Sequence, residues 1–182
     1  MKKIKYLVPI LGLLCSFNAH ALNDIKTAET TINFSVKILQ KQCKVSFGPS
    51  DDGKTINVGR LFKKHGSEGA LIPLRFKFSE CQGAEFIESI SFTRDVFGSG
   101  HTVQDKHITT QMNGNPSTVK IFLYNDQSKS SPFTSKDFGS VGHKITGEWI
   151  DVCFVQAVIP KNVQLPEKGD FIAQAEFTIT YL

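Results

Sequence analysis

The sequence lacks the patterns that indicate a helical protein, a membrane-spanning protein or a repeat protein. No long segment spaces its apolar residues with a period near 3.6. The apolar stretch at 6–17 is too short to span a bilayer, and no later apolar run is long enough either. No segment recurs at a fixed period. The apolar residues lie instead in many short runs that Gly, Pro, Asn, Asp and Ser interrupt. This distribution predicts an all-β fold, either a sandwich or a barrel.

An excess of charge is also missing once the N-terminal segment is set apart. Three lysines among the first five residues, an apolar stretch at 6–17 and the small-x-small site Ala19-His20-Ala21 predict a signal peptide at 1–21. The full chain has 21 Lys and Arg against 17 Asp and Glu, and removing the three signal lysines leaves 18 against 17. A nearly neutral chain gives no reason to expect binding to nucleic acid or to an anionic membrane surface. The remaining residues, about 160, suit a single domain.

No set of residues indicates catalysis or metal binding. His101 and His107 lie near Asp105, but histidines in surface loops are the commoner interpretation of this spacing. Gly98-Ser-Gly100 lacks the spacing of a nucleophile elbow. We therefore expect no catalytic residue, no metal site and no cofactor. The sole tryptophan, Trp149, could stack on a sugar if it were exposed, but we expect it in the core of a small sandwich.

Three cysteines remain after the signal peptide is removed, and an odd number leaves at least one unpaired or paired with another chain. Cys43 and Cys81 both lie in strand-like segments, and export makes a disulfide permissible. A bridge between them would close a loop of about 39 residues and would stabilise the fold by roughly 4 kcal/mol in the chain-entropy model. Cys153 lies in an apolar strand and is predicted to be a buried, inert thiol.

The clearest strand pattern covers residues 169–182, where apolar and polar residues alternate after Gly169. The residues predicted to share one face are Phe171, Ala173, Ala175, Phe177, Ile179 and Tyr181. Such a half-buried strand needs a neighbour, and no sequence downstream supplies one.

A second alternation precedes the first of the exported cysteines. Its apolar phase contains Thr30, Ile32, Phe34, Val36 and Ile38. Further strands are predicted at about 43–47, 55–61, 71–81, 86–94, 107–112, 118–125, 143–146 and 149–159. Loops are predicted at 48–54, 95–101, 113–117 and 126–142.

Three segments in a fixed order carry a resemblance to a known family. They are the alternating stretch that runs into Cys43, the strand from Ile72-Pro73 to Cys81, and the strand from Gly169 to Tyr181. With the signal peptide, this order resembles the pilins of type 1 and P pili, which are subunits of chaperone–usher fimbriae. The resemblance implies an incomplete immunoglobulin-like β-sandwich that is completed by a donated strand.

The resemblance also implies an organisation of the chain and a function. The signal peptide at 1–21 would be followed by an N-terminal donor-strand extension at 22–38 and a pilin domain at 39–182. The strand from Gly169 to Tyr181 would border a groove that first binds a strand of the chaperone and then the donor strand of a neighbouring subunit. At Val36 the chain departs from the family, whose donor strand usually has Gly at this position.

The implied protein is a structural subunit of a fimbrium on the bacterial cell surface, exported through the periplasm, that supports cell adhesion. Its implied partners are a periplasmic pilus chaperone, an outer-membrane usher and neighbouring fimbrial subunits. An alternative hypothesis is a single-domain adhesin that binds a host receptor directly, either a glycan or a protein, through Trp149 or the loop at 126–142. A secreted enzyme on a β-sandwich is the weakest hypothesis, because no nucleophile or metal set is present in the sequence.

Overall fold

The computed structural model describes four parts of the chain: residues 27–38, 42–48, 55–98 and 107–182. The predicted signal peptide and the start of the predicted extension, 22–26, lie outside these residues. The described residues form eleven β-strands and no helix, so they include no helix that could cross a membrane. An all-β fold is therefore confirmed.

The eleven strands are β1 (Thr27–Ile38), β2 (Gln42–Gly48), β3 (Thr55–Phe62), β4 (Ile72–Gln82), β5 (Phe86–Asp95), β6 (His107–Met112), β7 (Asn115–Tyr124), β8 (Ser135–Asp137), β9 (His143–Lys144), β10 (Trp149–Val158) and β11 (Asp170–Tyr181). Ten of the eleven strands overlap segments that were predicted to be strands, and β8 is the exception.

Two loop predictions are wrong. The predicted loop at 113–117 contains only a two-residue turn, because Asn113 and Gly114 both adopt positive φ and join β6 to β7 as a tight hairpin. The predicted loop at 126–142 contains β8 and buries Phe133, whose backbone N–H donates to the carbonyl of Leu123. The apolar residues of this segment, Phe133, Phe138 and Val141, do not alternate with a period of two, and this is why the pattern did not reveal a strand.

The strands pair in the order β2-β4-β10-β7-β6-β11-β1-β3, and β5 pairs with β11, β8 and β9. Every pair is antiparallel except that of β1 with β11. Among the described strands, only β6 and β7 are paired neighbours in sequence, and every other pair joins strands that are separated by at least one other strand.

Aromatic side chains from β4 and β11 meet in the core although these two strands do not pair with each other. The ring centroids of Phe76 and Phe177 lie 5.4 Å apart, and those of Phe78 and Tyr181 lie 6.3 Å apart. The part of the sheet that contains β4 therefore faces the part that contains β11. The rings fill the space between them, with edge-to-face geometry at both contacts.

The disulfide between Cys43 of β2 and Cys81 of β4 is present, as predicted. Cys153 is free and buried in β10, and burial raises the pKa of its thiol well above the usual range. A thiol in this environment is protonated and unreactive at neutral pH. The predicted division of the three cysteines into one bridge and one inert thiol is therefore confirmed.

We expect that replacing both bridged cysteines by alanine lowers the free energy of unfolding by roughly 4 kcal/mol, because the unfolded chain regains the entropy of a long open loop. Urea unfolding of the oxidised protein and of the double variant measures the difference. Cys153→Ala is the matched control, with an expected loss of about 1 kcal/mol for the missing sulfur in the core. Equal losses in the two variants would contradict a stabilising role for the bridge.

Candidate functional site

The candidate site is the parallel ladder that β1 forms with β11. It extends over ten consecutive residue pairs, from Glu29 opposite Asp170 to Ile38 opposite Ile179. Parallel strands require a long crossover connection, and here nearly the whole described chain lies between the two partners in sequence. β11 pairs with β5 and β6 along one edge, and β1 of the same chain is its neighbour along the other edge.

Each of the five residues predicted for the donor strand is the Cα partner of a residue predicted for the acceptor strand. The pairs are Thr30 with Phe171, Ile32 with Ala173, Phe34 with Ala175, Val36 with Phe177, and Ile38 with Ile179. The five partners on β11 are all fully buried. Two alternations that were recognised separately in the sequence thus meet in one ladder and in the same phase.

The register places residues of unlike size opposite each other at the centre of this ladder. Ile32 and Phe34 lie opposite Ala173 and Ala175. Cross-strand partners lie side by side on a sheet, so small residues of β11 occupy the positions where β1 has large ones. A shift of two residues along β11 would bring Phe34 opposite Phe177 instead. The order of sizes therefore favours the observed register over its neighbours.

The other edge of β1 pairs with β3 in the antiparallel direction, from Thr27 opposite Phe62 to Asn33 opposite Thr55, with one irregularity. β1 therefore lies between two strands that do not pair with each other in the described part of the chain. Without β1, both β3 and β11 would present a row of unpaired backbone N–H and C=O groups.

The disulfide joins two strands that do not pair with β1, although Cys43 follows β1 closely in the sequence. Residues 39–41 separate Ile38 from β2, and Cys43 is the second residue of β2. Its partner, Cys81, lies near the end of β4. A movement of β1 would therefore leave β2 covalently held to β4.

The ends of β11 differ from its buried centre. A Cβ atom built on Gly169 would lie 2.9 Å from Sδ of Met112, so a side chain here would displace Met112. Tyr181 is partly buried at the other end, and burial raises the pKa of its phenol to about 12. Its hydroxyl is buried and has no hydrogen-bond partner among the described residues.

We expect Ala175→Leu to weaken the β1 ladder, because the added volume lies opposite Phe34 at a fully buried position. Overpacking of this kind costs about 1–3 kcal/mol. Hydrogen exchange of the amides in 27–38 measures the effect. Ala84→Leu adds the same volume at a buried position outside the ladder and should destabilise the protein without selectively exposing β1. Equal protection of β1 in both variants would contradict the expectation.

Asp95 is a buried carboxylate that the sequence analysis missed. Its side chain is 3% exposed and accepts hydrogen bonds from the backbone N–H groups of Phe97 and Thr109, at 3.1 and 2.7 Å. Asp95 thereby ties the end of β5 to β6, next to the β11 strand that both contact. No local pattern marks it, because its partners are brought together only by the tertiary fold.

The described residues contain no group of three or more His, Cys, Asp or Glu side chains that could hold a metal ion. His107 lies in β6 with its ring 5.8 Å from that of Phe122, while His101 and Asp105 lie outside the described residues. Trp149 was predicted to lie in the core, and this prediction is wrong, because its side chain is 47% exposed at the start of β10.

A comparison with models of known protein families finds none that matches the chain. A search of curated protein sequences likewise finds no significant match. Function is therefore inferred from the geometry of the β1–β11 ladder and from the motif resemblance.

Proposed function

We propose that this chain is a structural subunit of a bacterial surface fimbria, polymerised by exchange of the β1 segment between copies. The observation that carries the proposal is the β1–β11 ladder, in which predicted donor and predicted acceptor positions match pair by pair. A segment that fits the groove of its own chain also fits the same groove of a second copy. Exchange of an identical element is a low-cost route to assembly.

The chain order favours release of β1. Every other described strand follows β1 in the sequence, so β1 can leave the sheet without any described strand being unthreaded. Each copy then has a donor segment and an acceptor groove on different parts of its surface. Head-to-tail contacts of this kind generate an open filament when the rotation between copies does not close a ring.

The parallel direction of β1 favours a resting state, before assembly, in which the groove of each chain holds its own β1. Parallel pairing is slightly less stable per residue than antiparallel pairing, and all other pairs in this sheet are antiparallel. Phe34 is the middle one of the five donor positions, so a strand reversed about it would keep Phe34 opposite Ala175. A donor from a neighbouring copy can thus enter in the antiparallel direction. The completed fold is then an immunoglobulin-like sandwich with a donated strand.

The remaining steps of the proposed route follow from the exposed state of the groove. A chain whose β1 has left presents two unpaired edges, which invites aggregation. A periplasmic chaperone that lends a strand would cover these edges until an outer-membrane usher brings donor and acceptor together. The predicted signal peptide at 1–21 provides the export that this route requires.

The test is the oligomeric state of the purified mature protein on a denaturing gel without boiling. Heat-labile multimers that appear with increasing protein concentration are the expected result, because exchanged strands resist detergent until heated. The same protein with residues 22–38 deleted has an acceptor but no donor and should form none. A mature protein that remains a monomer at every concentration, and takes up no labelled β1 peptide, would overturn the proposal.

A second candidate function is direct binding of a host molecule, and one observation favours it. Trp149 is half-exposed on the outer face of β10, where a structural subunit has no evident need for a large aromatic side chain. Tryptophan is strongly enriched at the centres of binding sites.

A further inference from the structure

Trp149 lies flat on the outside of the sheet. Its Cα partner on β4 is Lys77, yet its indole reaches Gly48 on β2, one strand further on. A Cβ atom built on Gly48 would lie only 3.0 Å from Cζ3 and 3.2 Å from Cη2 of the indole. Because neighbouring strands are about 4.8 Å apart, the ring must extend across β4 to make this contact. One face of the indole rests on the sheet, and 47% of the side chain remains exposed.

The residues beside the ring are polar and carry a positive charge. Arg75, opposite Gly48, donates from Nε to Oδ1 of Asp151 at 2.6 Å, and this pair is internally neutralised. The side chain of Lys77 forms no ion pair or hydrogen bond with any residue in the described part of the chain. The strand positions next to Trp149 therefore carry one neutralised ion pair and one ammonium group without a partner among the described residues.

The size of this surface selects the kind of ligand. A protein partner requires about 800 Å² on each side, and the apolar surface here is the single ring of Trp149 among charged residues. One ring face matches the C–H face of one pyranose, and an aromatic ring attracts such weakly positive C–H groups through the negative charge of its face. A neutralised ion pair at the rim offers both donors and acceptors to sugar hydroxyls.

We propose that Trp149, Lys77 and the Arg75–Asp151 pair form a binding site for an acidic sugar, a pyranose that carries a carboxylate. The pyranose stacks on the indole, and the carboxylate accepts charge-assisted hydrogen bonds from Lys77. Gly48 is a positioning residue, because a Cβ atom at this position would be too close to the indole for the ring to pack against the sheet. This inference rests on the second candidate function, direct binding, and does not require polymerisation.

The test uses the fluorescence of Trp149, which is the only tryptophan of the chain. Mature protein is titrated with glucuronate, glucose and acetate at constant ionic strength. Glucuronate should change the emission saturably, glucose should bind about tenfold more weakly for want of the carboxylate, and acetate should have no saturable effect. A response to acetate equal to that of glucuronate, or no saturable response to glucuronate, would overturn the proposal.

Three variants assign the roles of the residues. Lys77→Gln should remove the preference for glucuronate over glucose, while Lys64→Gln, an exposed lysine elsewhere, should leave it unchanged. Gly48→Ala should lift the ring and weaken binding of both sugars with unchanged thermal stability. An unchanged preference in Lys77→Gln would overturn the assignment of an acidic sugar. Sugar binding by a protein that forms no heat-labile multimers would overturn polymerisation and support this site.

Discussion

Mature protein that lacks residues 22–38 should be unfolded or aggregated, whereas the chain that retains them should be a folded monomer at low concentration. The deletion removes β1, so β3 and β11 both lose their partner along one edge. Domains of this size are stable by only about 5–15 kcal/mol, and the loss of a complete inner strand exceeds that margin. Soluble yield and circular dichroism after expression without a chaperone measure the result.

A synthetic peptide of residues 22–38 provides the control for this deletion. If the groove is otherwise intact, the peptide should restore soluble, folded protein in trans, because it re-forms the pairing with β3 and β11 and binds the folded state only. A peptide in which Phe34 is replaced by Asp should fail. A deleted protein that is already folded and monomeric would contradict the role of β1 as an inner strand.

The direction of the donor can be tested by fusing a copy of 22–38 after Leu182 in the deleted protein. A linker of about four residues forces the copy to run antiparallel to β11, as in a hairpin, whereas a linker of about twenty residues also permits the parallel direction. We expect the short linker to give the more stable protein, because antiparallel pairing is favoured. Rescue by the long linker alone would show that only the parallel direction fits the groove.

Phe177→Asp should abolish folding rather than weaken one interaction. Phe177 is fully buried, and its ring lies 5.4 Å from that of Phe76, 5.8 Å from that of Phe92 and 6.4 Å from that of Phe133. Truncation of a buried phenylalanine costs about 3–5 kcal/mol, and an unpaired carboxylate in the same place adds its desolvation. The measurement is the thermal unfolding transition, which we expect to be absent.

Thr180→Asp is the matched control, because Thr180 is an exposed residue of the same strand. This variant should unfold within a few degrees of the wild type, since surface substitutions change stability by about 0.5 kcal/mol or less. Comparable stability of the two aspartate variants would contradict the burial of Phe177. Because Phe177 packs against several aromatic residues of the core, a loss of chaperone binding in Phe177→Asp would result from unfolding and would not test the groove. Variants of β1 test the groove itself.

Most strands of the fold could be predicted because their information is local. Alternation at 169–182 and at 30–38 depends on the period of two that any half-buried strand shows, and both segments are strands. The predicted loop at 113–117 is wrong although the hairpin signal of Asn113-Gly114 is equally local. β8 lies outside every predicted strand, because its three residues are too few to show a period.

Some features of the candidate site could likewise be predicted from the sequence, and others could not. The alternating residues of β1 and of β11 were recognised as two matched sets, and the disulfide between Cys43 and Cys81 was expected. The parallel direction of the ladder was not expected, because alternation has no direction and reads the same from either end. The position of β1 between β11 and β3 could not be predicted either, because the alternation of residues within a strand does not identify the distant strands that pair with it.

The sequence by itself determined the strand content, the buried face of β11 and the division of the cysteines, because each depends on a residue and its near neighbours. Only the tertiary structure decided that the neighbour of β11 comes from the same chain and runs parallel to it. Only the tertiary structure placed Trp149 outside the core, since Gly48 and Lys77 are brought to the indole by strand pairing. Contacts between distant segments depend on register and topology, and these are properties of the assembled sheet rather than of any one strand.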